Sequence, residues 1–82
     1  MHFRLGTAYF ALQQWSSAEQ EFRNAAELDP KNIEAAFNLA LSLGRQGYVS
    51  DELLWLKNAL ARNPSPSQRA EIVSMIQRLE HR

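Results

Sequence analysis

Residues 5–30 read LGTAYFALQQWSSAEQEFRNAAELDP, and residues 39–64 read LALSLGRQGYVSDELLWLKNALARNP. Aligned at an offset of 34 and extended to 1–30 over 35–64, they pair Phe3 with Phe37, Leu5 with Leu39 and Ser16 with Ser50. Asn24 pairs with Asn58, Ala25 with Ala59 and Pro30 with Pro64. The substitutions preserve size: Gly6 becomes Ala40, Tyr9 becomes Leu43 and Phe22 becomes Leu56. A fixed period of this length marks a stacked array of units, none of which buries its apolar face alone.

Each unit reads as two helices. Leu5, Tyr9 and Leu12 recur at helical spacing, and Ser16 with Glu19 has the form of a capping box opening a second helix. Ala18, Phe22, Ala25 and Ala26 form its inner stripe, and Asp29-Pro30 stops it, because the residue before proline is forced out of helical geometry. The second unit opens at Asn32 and runs through Leu39 and Leu43, with Gly44 and Gly47 at its turn. Ser50 then caps a helix whose stripe is Leu53, Leu56, Ala59 and Leu60. A fifth helix starts with Ser65 as cap, Pro66 at the first helical position and Gln68 three residues after the cap. Its apolar stripe is expected at Ala70, Val73, Ile76 and Leu79, covering the helix before it.

The rest of the composition agrees. Ala and Leu supply 22 of 82 residues and Val, Ile and Thr only 6, a bias toward helix. This length leaves room for a single core. Nine Lys and Arg balance nine Asp and Glu, so no basic stripe points to nucleic acid. Without cysteine there is no thiolate chemistry and no disulfide. No apolar run has the length of a membrane span and no signal segment is visible, which makes the cytoplasm the default expectation. The two histidines, His2 and His81, sit at opposite ends, and no glycine-rich phosphate loop is present. No catalytic set, metal site or cofactor is expected.

The pattern resembles the tetratricopeptide repeat family. Its motif, W-x₂-L-G-x₂-Y, an aromatic, A-x₃-F, a small residue and a closing Pro, is met by Leu5, Gly6, Tyr9, Trp15, Ala18, Phe22, Ala25 and Pro30. Leu39, Ala40, Leu43, Gly47, Leu56, Ala59, Leu60 and Pro64 follow in register, while Glu52 stands where the family prefers Ala. The resemblance implies an all-α fold of antiparallel helix-turn-helix repeats, stacked as a short right-handed α-solenoid of five helices. One domain would span 1–82, with repeat 1 at 1–32, repeat 2 at 33–64 and a capping helix at 65–82.

The resemblance also implies a concave groove along the first helix of each repeat. Phe3, Thr7 and Phe10 share one face there, and Phe37 and Leu41 repeat it, with Asn38 and Arg45 as polar contacts. Independently, Ala35 to Leu41 is apolar nearly all round, which calls for burial on more than one side. The expected function is a protein-interaction module presenting this groove to a partner peptide or helix with apolar anchors. The alternative is a self-assembly unit in which another copy covers the groove, giving a homo-oligomer. The carboxylate clamp of some family members is absent, since Phe3 and Thr7 in the first repeat and Gln68 and Ile72 later do not supply it. Trp55 is expected to pack against the fifth helix.

Overall fold

Turn geometry, more than the serines, decides where the second helix of each repeat begins. The computed structural model describes residues 2–81, with side chains from 4 onward. Five helices follow in order: α1 (His2–Ala11), α2 (Trp15–Leu28), α3 (Ile33–Arg45), α4 (Val49–Ala61) and α5 (Pro66–Glu80). No strand occurs among the described residues. The α1–α2 turn is closed by the Gln14 N–H donating to the Tyr9 carbonyl at 2.9 Å. Its counterpart 34 residues on is the Tyr48 N–H donating to the Leu43 carbonyl at 3.0 Å. These bonds draw Trp15 and Val49 into the helix, so Ser16 and Ser50 fall inside the first turn. Neither serine caps, contrary to the sequence expectation: Gln14 and Tyr48 hold the cap positions without a side-chain bond. The other two caps form as read. The Asn32 side chain accepts from the Ala35 N–H at 3.0 Å, and Ser65 with Gln68 completes a reciprocal capping box ahead of Pro66.

Two apolar clusters hold the array together, and α3 contributes to both. One joins Ala18, Phe22, Ala25 and Ala26 of α2 to Ala35, Leu39 and Leu43 of α3, with Tyr9 and Phe10 of α1 packed against it. The other joins Ala36 and Ala40 of α3 to Leu56 and Ala59 of α4 and to Ile72 and Ile76 of α5. Alanines at both seams keep the helices close and leave little room for error in volume. The inner stripe of α1 is displaced from the expected one. Gly6 is buried and Tyr9 and Phe10 are half-buried, whereas Leu5 is 44% and Leu12 67% exposed. Leu39, the counterpart of Leu5, is fully buried because α2 covers it and no described helix covers Leu5 in that way. On α5 the stripe is Ile72, Met75, Ile76 and Leu79, and Ala70 is exposed; the two isoleucines, one turn apart, bury more apolar surface than Ala70 would.

Size complementarity sets the approach within each repeat. A Cβ on Gly6 would lie 2.7 Å from the Phe22 ring, whereas the second repeat combines Ala40 with the smaller Leu56. The same exchange accommodates Glu52. A Cβ on Gly44 would lie 2.6 Å from the Glu52 carboxylate carbon, and the first repeat has Phe10 and Ala18 at the equivalent places. Gly44 is therefore a spacer inside α3, and only Gly47, at φ 86°, serves the turn as expected.

Polar contacts tie one repeat to the next. Glu19, free of the cap, pairs with Arg23 at 3.2 Å and accepts from Gln46 Nε2 at 2.8 Å, linking α2 to the end of α3. Arg62, just after α4, reaches back to the α2–α3 loop, donating to the carbonyls of Asp29 at 3.1 Å and Asn32 at 3.2 Å; its Nε donates to Asn58 Oδ1 at 2.7 Å. Burial lowers the Arg62 pKa and the charge of Asp29 opposes that, leaving a guanidinium that stays protonated at neutral pH. Trp55 packs against both clusters rather than against α5 alone, with the guanidinium carbons of Arg23 and Arg62 at 5.8 Å and 6.0 Å from its ring centre.

Two stability measurements follow from this packing. Gly6→Ala should destabilise in urea melts, because overpacking of about 1–3 kcal/mol exceeds the gain in helix propensity of about 1 kcal/mol. Combined with Phe22→Leu it should show favourable coupling of about 1 kcal/mol; strict additivity would mean that the ring does not set the spacing. Arg62→Ala should cost about 1–3 kcal/mol, with Arg62→Lys recovering less than half, since an ammonium cannot span three acceptors with a planar fork. An unchanged urea midpoint for Arg62→Ala would show that the loop needs no clamp.

Candidate interaction cleft

With one seam of α3 against α2 and another against α4, its third side looks toward α5 across an open cleft of about 240 Å³. Ile33, Glu34, Phe37 and Asn38 line it from α3, and Gln68, Glu71 and Ile72 line it from α5. Ile72 is buried and Ile33 and Phe37 are half-buried, so the cleft has an apolar floor continuous with the second cluster. Two amides stand above that floor. The Gln68 side-chain oxygen accepts from the Ser65 N–H at 3.0 Å as part of the α5 cap, and its NH₂ has no hydrogen-bond partner among the described residues. The Asn38 side chain makes no hydrogen bond among the described residues, while its carbonyl accepts from the Ser42 hydroxyl at 3.0 Å. The charged side chains of the lining, Glu34 and Glu71, are both acidic and exposed. The chemistry of the lining is apolar contact plus amide hydrogen bonding; no cluster of three or more metal-ligating side chains occurs among the described residues.

The sequence-expected residues divide into three places. Phe37 and Asn38 line the cleft, and Leu41 is half-buried one turn farther along α3. Arg45 stands exposed at the end of α3 with its guanidinium carbon 5.5 Å from the Trp15 ring centre. Phe10 meets Trp15 edge-on at 4.8 Å and lies 6.4 Å from Phe22, between α1 and α2, while Thr7 is exposed on α1. The side chain of Phe3 lies outside the described residues. Ile33, Glu34 and Glu71 lie outside the lining expected from the sequence, and Gln68 and Ile72 figure there only as positions that do not supply the carboxylate clamp. The signal for them is the offset itself. Adding 34 carries Glu34 to Gln68, Phe37 to Glu71 and Asn38 to Ile72, so α5 keeps the register of a third repeat after losing its motif.

A family model described as TPR repeat matches residues 6–47. Among characterised proteins, the chain is 34% identical over 65 residues to Protein O-mannosyl-transferase Tmtc2 of Drosophila melanogaster, covering 78% of the chain and 7% of that protein. It is 30% identical over 82 residues to Protein O-mannosyl-transferase Tmtc1 of the same organism, covering 98% of the chain and 10% of the relative. The chain thus spans a tenth or less of the length of each.

Proposed function

From the premise that this chain belongs to the tetratricopeptide repeat family, whose repeats mediate protein–protein interaction, we propose that it presents the α3–α5 cleft to a partner peptide or helix. The observation that carries this reading is the conjunction of an apolar floor with two lining amide side chains, Asn38 and Gln68, whose NH₂ groups have no hydrogen-bond partner among the described residues. A large apolar side chain would insert against Ile33, Phe37 and Ile72. Asn38 and Gln68 would pair with the backbone beside it, which fixes direction and register. The division into repeat 1, repeat 2 and a final helix over the second core cluster belongs to the same proposal. We propose no catalysis within this chain. Glu19 is engaged by Arg23 and Gln46, and Glu52 is packed over Gly44, so neither is placed as a general base in an open site. The transferase activity in the relatives' names would then reside in the nine-tenths of those proteins outside the match.

Self-assembly is the second reading, and a separate observation favours it. Leu5 stands open at the place where Leu39 is sealed by α2, so α1 offers a stacking face to another helix. Sedimentation of the isolated chain separates the two: a monomer that binds peptide fits the cleft, and a concentration-dependent dimer weakened by Leu5→Glu fits the α1 face. No helix among the described residues is long and apolar enough to cross a membrane.

The direct test is selection of peptides on the wild-type chain, followed by calorimetry on variants. Asn38→Ala, which leaves both clusters intact, should weaken the selected peptides about fivefold or more. Phe37→Ala should weaken them about tenfold or more, once circular dichroism shows retained helicity. Glu27→Ala, exposed on α2, should change nothing. Selected peptides indifferent to both Asn38 and Phe37 would remove the cleft as the working surface.

A further inference from the structure

The cleft has a charge asymmetry that the neutral composition hides. Its lining has two carboxylates, Glu34 and Glu71, and no cation. Glu34 has an internal reason for its place, since it lies in the first turn of α3, where the helix dipole favours an anion. Glu71 has none of this kind, lying beyond the first turn of α5. Nor does either take part in an ion pair among the described residues. Among the described residues the ion pairs are Arg23 with Glu19 and Lys57 with Glu80, while Arg62 is committed to the α2–α3 loop and Arg45 lies over Trp15 at the other end of α3; Arg4, Lys31, Arg69 and Arg78 are outside the cleft lining. Two carboxylates thus flank an apolar floor, one from each wall, with no basic side chain of the lining between them.

We propose that the occupant of this cleft is a basic amphipathic segment of a protein partner: an apolar anchor flanked on both sides by Lys or Arg. This rests on the reading of the cleft as a peptide site and adds the charge of what enters it. The anchor would sit on Ile33, Phe37 and Ile72, and a flanking cation on either side would meet Glu34 or Glu71. Both carboxylates are exposed, so each pairing is weak in itself, and their main effect is discrimination. An acidic segment would bring its carboxylates toward two fixed carboxylates and be rejected. A neutral segment would bind through the floor alone.

Three synthetic peptides test this, sharing one Leu-x-x-Leu anchor and differing only in flanks of Lys, Gln or Glu. At low ionic strength the Lys peptide should bind the wild-type chain about tenfold tighter than the Glu peptide, with Gln between, and the spread should collapse at about 0.5 M salt. Glu34→Gln with Glu71→Gln should bring the three affinities together, and Glu34→Lys with Glu71→Lys should invert their order. Equal binding of all three to the wild type, each still weakened by Phe37→Ala, would overturn the basic-partner inference and leave the peptide cleft standing. A Lys preference that survives removal of both carboxylates would also overturn it, by placing the charge effect elsewhere. If none of the three binds and selected peptides ignore Phe37, the cleft reading itself fails.

Discussion

Helix α3 is held on two sides at once, and its small side chains make that possible. Ala35, Ala36 and Ala40 have no exposed surface, and neither does Leu39. Ala35 and Leu39 face the cluster shared with α2, whereas Ala36 and Ala40 face the cluster shared with α4 and α5. A bulkier residue at any of these alanines would push a neighbouring helix outward and open a seam. Because both flanks are taken, the remaining side of α3 is fixed in direction. Phe37 and Asn38 reach the cleft by elimination, and α5, seated over Ala36, Leu56 and Ala59 through Ile72 and Ile76, supplies the opposite wall.

The two repeats share a plan while solving its packing with different volumes. Gly6 under Phe22 and Ala40 with Leu56 divide similar space in two ways, and so do Phe10 with Ala18 and Gly44 with Glu52. A motif read position by position scores Glu52 as a departure. Read as a pair with Gly44, it is an exchange of volume across the same helix contact. Outside the core the joint between repeats is polar: Arg62 holds the loop carbonyls at one end, and Glu19 with Gln46 holds the other. Trp55, with two guanidinium groups near its ring, packs against both clusters.

The fold was legible because periodicity and size survive substitution. The offset of 34, the prolines after α2 and α4, and the caps at Asn32 and Ser65 are local signals, and each has its expected structural consequence. Ser16 and Ser50 misled because a cap depends on the exact residue at which the preceding turn closes, and that is set by backbone bonds from Gln14 and Tyr48. Leu5 and Leu12 misled because helical spacing gives a stripe without saying whether a neighbour covers it. Of the cleft, the α3 wall was legible in Phe37 and Asn38. The α5 wall was hidden because Val73, Ser74 and Gln77 stand where the motif has Leu, Gly and Tyr, although Glu71 and Ile72 hold the positions of Phe37 and Asn38 one offset on.

If α3 is the element on which the array depends, its backbone must be the last to open. Native-state hydrogen exchange on the intact chain measures this residue by residue. The slowest exchange is expected at the amides from Leu39 to Leu43, with opening free energies equal to that of global unfolding, while α1 and α5 open earlier at lower cost. Exchange in the middle of α3 as fast as in α1 or α5 would contradict it, because the two clusters would then be separate and α3 no more than a connector between them.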